Sequence, residues 1–155
     1  MYKRIHIGVI GAGDCPRETY NRASEVGYLI GKNGWILICG GLGGVMEGAA
    51  KGCYDAGGMT VGILPGEEKR AANPFIVLPV PTGLGEGRNL LVVRASDVIV
   101  AIAGGYGTLS EIALALKTDK PVVGLKTWPD IEGVDYVETP QQAIDRVVVH
   151  LSRLE

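Results

Sequence analysis

The sequence predicts an α/β chain of Rossmann-like, doubly wound type: a mainly parallel sheet with helices on both faces. Three observations carry this reading. Short apolar runs rich in β-branched residues alternate with segments of helical periodicity. The runs are apolar throughout rather than every second residue, as strands covered on both faces are. Glycine clusters fall between a run and the helix after it, and 24 of 155 residues are glycine, about twice the usual share.

Ile5 to Ile10 reads as a buried first strand, and Gly11-Ala12-Gly13-Asp14 as the turn after it. Pro16 suits a first helical turn, where its missing N–H costs nothing. Tyr20, Ala23, Gly27 and Ile30 recur at helical spacing, so a helix spans about Pro16 to Lys32 and stops at Asn33-Gly34. Trp35 to Cys39 is the second strand. Gly40-Gly41-Leu42-Gly43-Gly44 follows, then a helix from about Val45 to Ala56 closed by Gly57-Gly58. Thr60 to Leu64 is a third strand. After a polar, irregular stretch from Pro65 to Pro74 comes Phe75 to Val80, a short strand whose internal Pro79 puts it at an edge. A loop over Pro81 to Gly87 leads to a helix over Arg88 to Ala95. Asp97 to Ile102 is the central strand, Ala103-Gly104-Gly105-Tyr106-Gly107 the third glycine loop, and Thr108 to Lys117 its helix. Val122 to Leu125 is a strand, Trp128 to Thr139 a loop with a short strand at Val134 to Val137, and Pro140 to Leu154 an amphipathic helix. No linker or repeat divides the chain, so residues 1–155 are expected to form one nucleotide-binding domain.

The bulk numbers exclude several classes. A net charge of −2, from 15 basic and 17 acidic residues, gives no broad footprint for nucleic acid or an acidic membrane. No run is long enough to span a bilayer and no targeting segment is visible, so a cytoplasmic setting is expected. Cys15, Cys39 and Cys53 match no zinc or redox spacing and read as reduced thiols; Cys15, near a helix start, is the one whose thiolate a helix would favour. His6 and His150 lie at opposite ends, so no metal site is argued.

Right-handed crossovers place every strand-to-helix loop on one edge of such a sheet, where ligands bind. Helix starts there carry free N–H groups and roughly +0.5 of a charge, and glycine lets the backbone approach an anion. The expected phosphate cradle comprises Gly11, Gly13, Gly41, Gly43, Gly44, Gly104, Gly105, Gly107 and Thr108. Two common nucleotide motifs fail. A dinucleotide fingerprint needs a third glycine where Pro16 stands and an acid closing the second strand, where Cys39-Gly40 stands. A P-loop needs Ser or Thr after Gly-Lys, and Gly31-Lys32 is followed by Asn33.

Two charged residues stand beside the cradle. Glu111 belongs to Thr108-Leu109-Ser110-Glu111, which reads as a capping box and also brings a carboxylate to the ligand. Arg88 opens a helix against the macrodipole, which calls for a salt bridge to Glu86 or Glu111, or for a bound phosphate that its guanidinium would fork. Asp14 reads as a helix N-cap and Glu47 as a first-turn acid; Asn89 lies near a loop edge, Arg17 either reaches the crevice or is solvated surface, and Tyr106 either stacks on a base or covers its loop.

The segment Ala103-Gly104-Gly105-Tyr106-Gly107-Thr108-Leu109-Ser110-Glu111 resembles the signature P-G-G-x-G-T-x-x-E of the Lonely Guy cytokinin-activating phosphoribohydrolases, with Ala103 in place of proline. The same family includes molybdenum-cofactor carrier proteins. Gly8 to Gly13 and Gly40-Gly41-Leu42-Gly43-Gly44-Val45-Met46-Glu47 look like its first two glycine loops, so the resemblance runs in order along nearly the whole chain. In the hydrolases an arginine-lysine pair opens a helix; Arg88 fits the arginine, Asn89 stands where the lysine would be, and the preceding Met-His is absent. The variant pattern looks closer to the carrier-like branch. The resemblance therefore implies binding of a phosphorylated nucleotide or molybdenum cofactor, with no other cofactor required. Its alternative is hydrolysis of the N-glycosidic bond of a nucleoside 5′-monophosphate, in which Arg88 and Glu111 would be catalytic. It also implies a homo-oligomer, dimer or tetramer.

Overall fold

The computed structural model describes residues 3–154. In chain order the elements are β1 (His6–Gly11), α1 (Arg17–Lys32), β2 (Ile36–Cys39), α2 (Val45–Asp55), β3 (Thr60–Leu64), β4 (Leu78–Pro81), α3 (Arg88–Ala95), β5 (Val98–Ile102), α4 (Tyr106–Lys117), β6 (Val122–Leu125), β7 (Val134–Val137) and α5 (Pro140–Ser152). Short 3₁₀ turns at Lys69–Ala71 and Gly85–Gly87 precede β4 and α3.

All the strands are parallel, in the order β4-β3-β2-β1-β5-β6-β7. The chain steps outward from β1 through β4, then returns to pair β5 with the other side of β1, Ile7 opposite Val98 and Gly11 opposite Ile102. The loops leaving β1 and β5 turn to opposite faces, which opens a crevice at their C-terminal ends.

Every residue of β5 is buried because both faces are covered. Val98, Val100 and Ile102 pack with Ile7, Val9 and Leu37 under α1, α2 and α5. Ile99 and Ala101 pack with Ile10, Ile38 and Ile63 under α3 and α4. Each large side chain so buried contributes roughly 1.5–3 kcal/mol. The continuous apolar runs follow from this two-sided burial.

On the first face α1 and α2 meet backbone to backbone. A Cβ on Gly27 would fall 1.9 Å from the Ala49 carbonyl oxygen, and one on Gly52 would fall 1.8 Å from that of Ser24. Glycine is required at both positions by the space, not by the backbone angles.

The fourth strand is at the edge, as Pro79 requires, but begins at Leu78 rather than Phe75. The Asn73 side chain accepts from the Phe75 N–H at 3.0 Å, and Thr60 Oγ1 donates to the Phe75 carbonyl at 2.6 Å. Those bonds hold residues 73–77 out of the regular ladder. The last helix starts where expected, with Thr139 accepting from the Gln142 N–H at 3.1 Å as its N-cap.

Candidate ligand-binding site

At the crevice between β1 and β5 lies a cavity of about 300 Å³. Gly11, Ala12 and Gly13 of the β1 loop form one wall, Gly40 and Met46 of the β2–α2 loop the next. Arg88 and Asn89 from the start of α3 face them, and Gly105, Gly107, Thr108 and Glu111 from the start of α4 complete the ring. A second cavity, of about 530 Å³, adjoins it and shares Arg88, Asn89 and Gly107; Pro65, Leu90, Tyr106 and Leu114 add apolar walls.

The α4 terminus differs from the capping-box expectation. The helix begins at Tyr106, its N-cap is Gly105, and no side chain caps it. Thr108 is therefore inside the first turn, and Glu111 cannot reach back to a cap. The first bond along α4 runs from the Leu109 N–H to the Gly105 carbonyl at 3.1 Å. The N–H groups of Tyr106, Gly107 and Thr108 thus have no acceptor within the helix, which suits an anion. Asp14 is likewise no cap: Pro16 holds the N-cap position of α1 with no side-chain cap bond, and Asp14 is exposed.

Glu111 is instead a cavity wall, only 6% exposed. Burial pushes its carboxyl from the ordinary 4.5 up to about 7, against the opposing pull of the Arg88 charge. Arg88 makes neither of the salt bridges expected of it. Its Nη1 donates to Asn89 Oδ1 and its Nη2 to the Gly40 carbonyl at 3.4 Å, while Nε is buried with no partner among the described residues. An unpaired buried donor on a charged group is costly, so an acceptor brought by a ligand would be favoured there.

The predicted cradle glycines divide by task. Gly11, Gly13, Gly105 and Gly107 line the cavity. Gly41, Gly43, Gly44 and Gly104 are not part of its lining, and three of them, Gly41, Gly44 and Gly104, have positive φ that shapes the loops. Gly44 has φ of +63°, and a Cβ there would fall 2.2 Å from the Ala12 carbonyl oxygen, so it lets the β1 and β2 loops touch. Gly104 has φ of +108° and packs on the Thr108 side chain. Ala103, the residue before it, also sits in the left-handed region, at φ of +51°. Proline, locked near −65°, cannot adopt that angle.

Tyr106 is 83% exposed and its ring lies 5.7 Å from that of Trp128, whose Nε1 donates to the Gly105 carbonyl at 2.9 Å. Cys15 lies outside the cavity wall, and burial first, then the neighbouring Asp14 charge, pushes its thiol up, so the helix start does not favour its thiolate. Cys39, fully buried, is pushed up to about 12. Sequence reading missed Met46 and Gly40 as walls. Gly40 opens the second glycine loop and Met46 lies in the first turn of the helix after it, which was the available signal.

The SLOG cluster4 family matches residues 4–151 of the chain. The molybdenum cofactor binding protein of Rippkaea orientalis superposes with a TM-score of 0.89 at 34% identity, covering 97% of this chain and 99% of that one. The molybdenum cofactor carrier protein of Chlamydomonas reinhardtii gives 0.88 at 37%, with the same coverage. A cytokinin riboside 5′-monophosphate phosphoribohydrolase of Mycobacterium tuberculosis is 33% identical over 130 residues, 76% of this chain and 67% of that protein. The chain belongs to the SLOG cluster4 family, in the carrier-like branch of the Lonely Guy group.

Proposed function

We propose that this protein binds and holds a small phosphorylated ligand, a molybdenum cofactor or a nucleotide, without turning it over. The observation that carries the reading is the cavity at the β1–β5 crevice. There the α4 terminus, the Gly11–Gly13 loop and the guanidinium of Arg88 surround one space of about 300 Å³. The phosphoryl group would take the free N–H groups of Tyr106, Gly107 and Thr108 and the unpaired N–H of Arg88. The larger, more apolar cavity alongside suits the ring system of such a ligand.

Ala103 favours holding over hydrolysis. The hydrolase signature opens with proline, and the φ of +51° at Ala103 is closed to proline, so this loop follows a different path from one built on that signature. One observation favours the hydrolase as a second reading: Glu111, poised at about 7 beside Arg88, has the protonation range of a general acid or base.

The test is to incubate the protein with the molybdenum cofactor and with a panel of nucleoside 5′-monophosphates, following melting temperature and free base together. A rise in melting temperature without free base is expected. Free base from the wild type and none from Glu111→Gln would establish the hydrolase instead. No thermal response to any of these ligands would refute binding.

A further inference from the structure

Arg88 comes from α3, whereas the loop it reaches follows β2, 48 residues earlier in the chain. Its long side chain has many rotamers, so something must fix it against the cavity. The contacts identify what does. A Cβ added to Gly40 would fall 2.7 Å from Arg88 Nη2 and 2.8 Å from its Cζ. The guanidinium thus occupies the volume that any larger residue at position 40 would fill. The Gly40 carbonyl accepts from Nη2, and Asn89, itself only 8% exposed, accepts from Nη1 through Oδ1. Both terminal nitrogens are tied to protein, and only Nε remains unpaired.

We infer that Gly40 and Asn89 are the positioning residues of the anion site: Gly40 is the seat of the Arg88 guanidinium and Asn89 its clamp, leaving Nε as the donor reserved for the ligand. The inference rests on the phosphate-site reading given above. It gives Asn89 a task different from that of a lysine, since it adds no charge and orients the Arg88 cation of the cavity wall. It also separates Gly40 from its neighbours Gly41 and Gly44, whose positive φ values serve the turn itself. No positive φ is needed at Gly40, and the atoms an added methyl would meet are the flexible ends of Arg88 and Met46, whose Sδ would be 2.7 Å away. Alanine therefore fits the backbone there and displaces the side chains instead.

The experiment compares wild type, Gly40→Ala, Asn89→Leu and Arg88→Gln, titrated with inorganic phosphate and with adenosine 5′-monophosphate by calorimetry. The Arg88 Nε–H resonance is followed in ¹⁵N-correlated spectra. In the wild type, phosphate is expected to shift that resonance, and Arg88→Gln to remove it. Gly40→Ala and Asn89→Leu should bind at least tenfold more weakly, with cooperative melting retained and an Nε–H signal that exchanges fast and ignores phosphate. A seat that merely stabilised the fold would alter melting but leave the phosphate-induced shift intact. Wild-type affinity in both variants, with binding lost only in Arg88→Gln, would overturn the positioning roles and leave the site standing. No binding of either probe by the wild type would overturn the site and this inference together.

Discussion

Replacing Glu111 by glutamine should stabilise the protein at alkaline pH and leave it nearly unchanged in acid. The carboxyl is a cavity wall with 6% exposure, and burial raises it from 4.5 to about 7. Below pH 4.5 the folded and unfolded chains both hold the proton, and the group contributes no difference. Between 4.5 and about 7 only the folded chain holds it, so stability falls as pH rises; above 7 the loss is complete. A gap of about 2.5 pH units at about 1.4 kcal/mol each amounts to about 3 kcal/mol. Glutamine keeps the shape and carries no charge, so the variant escapes this loss. For a chain of this length the gain at pH 8.5 is roughly 6–12 °C in melting temperature. The assay is thermal unfolding of both proteins from pH 4 to 8.5. Parallel profiles across that range would refute the burial argument, and a variant less stable at pH 8.5 would show that the ionised carboxylate is held by a partner. The same proton governs the ligand. A phosphate dianion beside Glu111 favours the neutral acid, so affinity should decline above pH 7 in the wild type and stay level in the variant.

Arg88→Gln removes a charge-assisted contact worth roughly 1.5–3 kcal/mol, so calorimetry should show phosphate binding weakened roughly 10- to 100-fold, with the melting temperature little changed. Ala103→Gly relieves a left-handed alanine and should raise stability by about 1 kcal/mol in urea unfolding, whereas Ala103→Pro should lower it by about 3 kcal/mol or more. Gly27→Ala drives a methyl to within 1.9 Å of a backbone oxygen, and α1 must move off α2. A loss of about 3 kcal/mol is expected, readable as an early urea transition.

The strands and the loops after them were legible because their signals are local. An apolar run such as Val98–Ile102 has one explanation in an α/β chain, and Pro79 marks an edge wherever it falls. Arg88 and Glu111 could be singled out because each sits where a helix start offers a reason to question it. The capping box at Thr108 misled for the same local reason: the pattern is real in sequence, but α4 begins two residues earlier, at Tyr106, so Glu111 falls beyond the first turn and on the cavity wall. Asp14 failed as a cap because Pro16 took the position. The bond between Arg88 and the Gly40 carbonyl was beyond reach, since it joins residues on different elements and depends on a vacancy no periodicity records. The left-handed Ala103 was equally hidden, because alanine gives no sign of that conformation.

The meshed backbones of α1 and α2 bear on how the crevice can breathe. The Val45 N–H donates to the Ala12 carbonyl at 2.9 Å, and Gly44 brings the two loops into contact. The β1 loop, α1 and α2 are thereby joined as a single anvil that cannot flex without separating helices seated on one another's carbonyls. Accommodation of a larger or smaller ligand then falls to the opposite jaw, the segment from Thr82 into α3 and the exposed Tyr106 at the head of α4. Amides of the anvil should exchange with solvent most slowly and those of the jaw fastest. Changes in what the crevice accepts are therefore expected to accumulate on the jaw, where a substitution alters the grip without loosening the block it closes against.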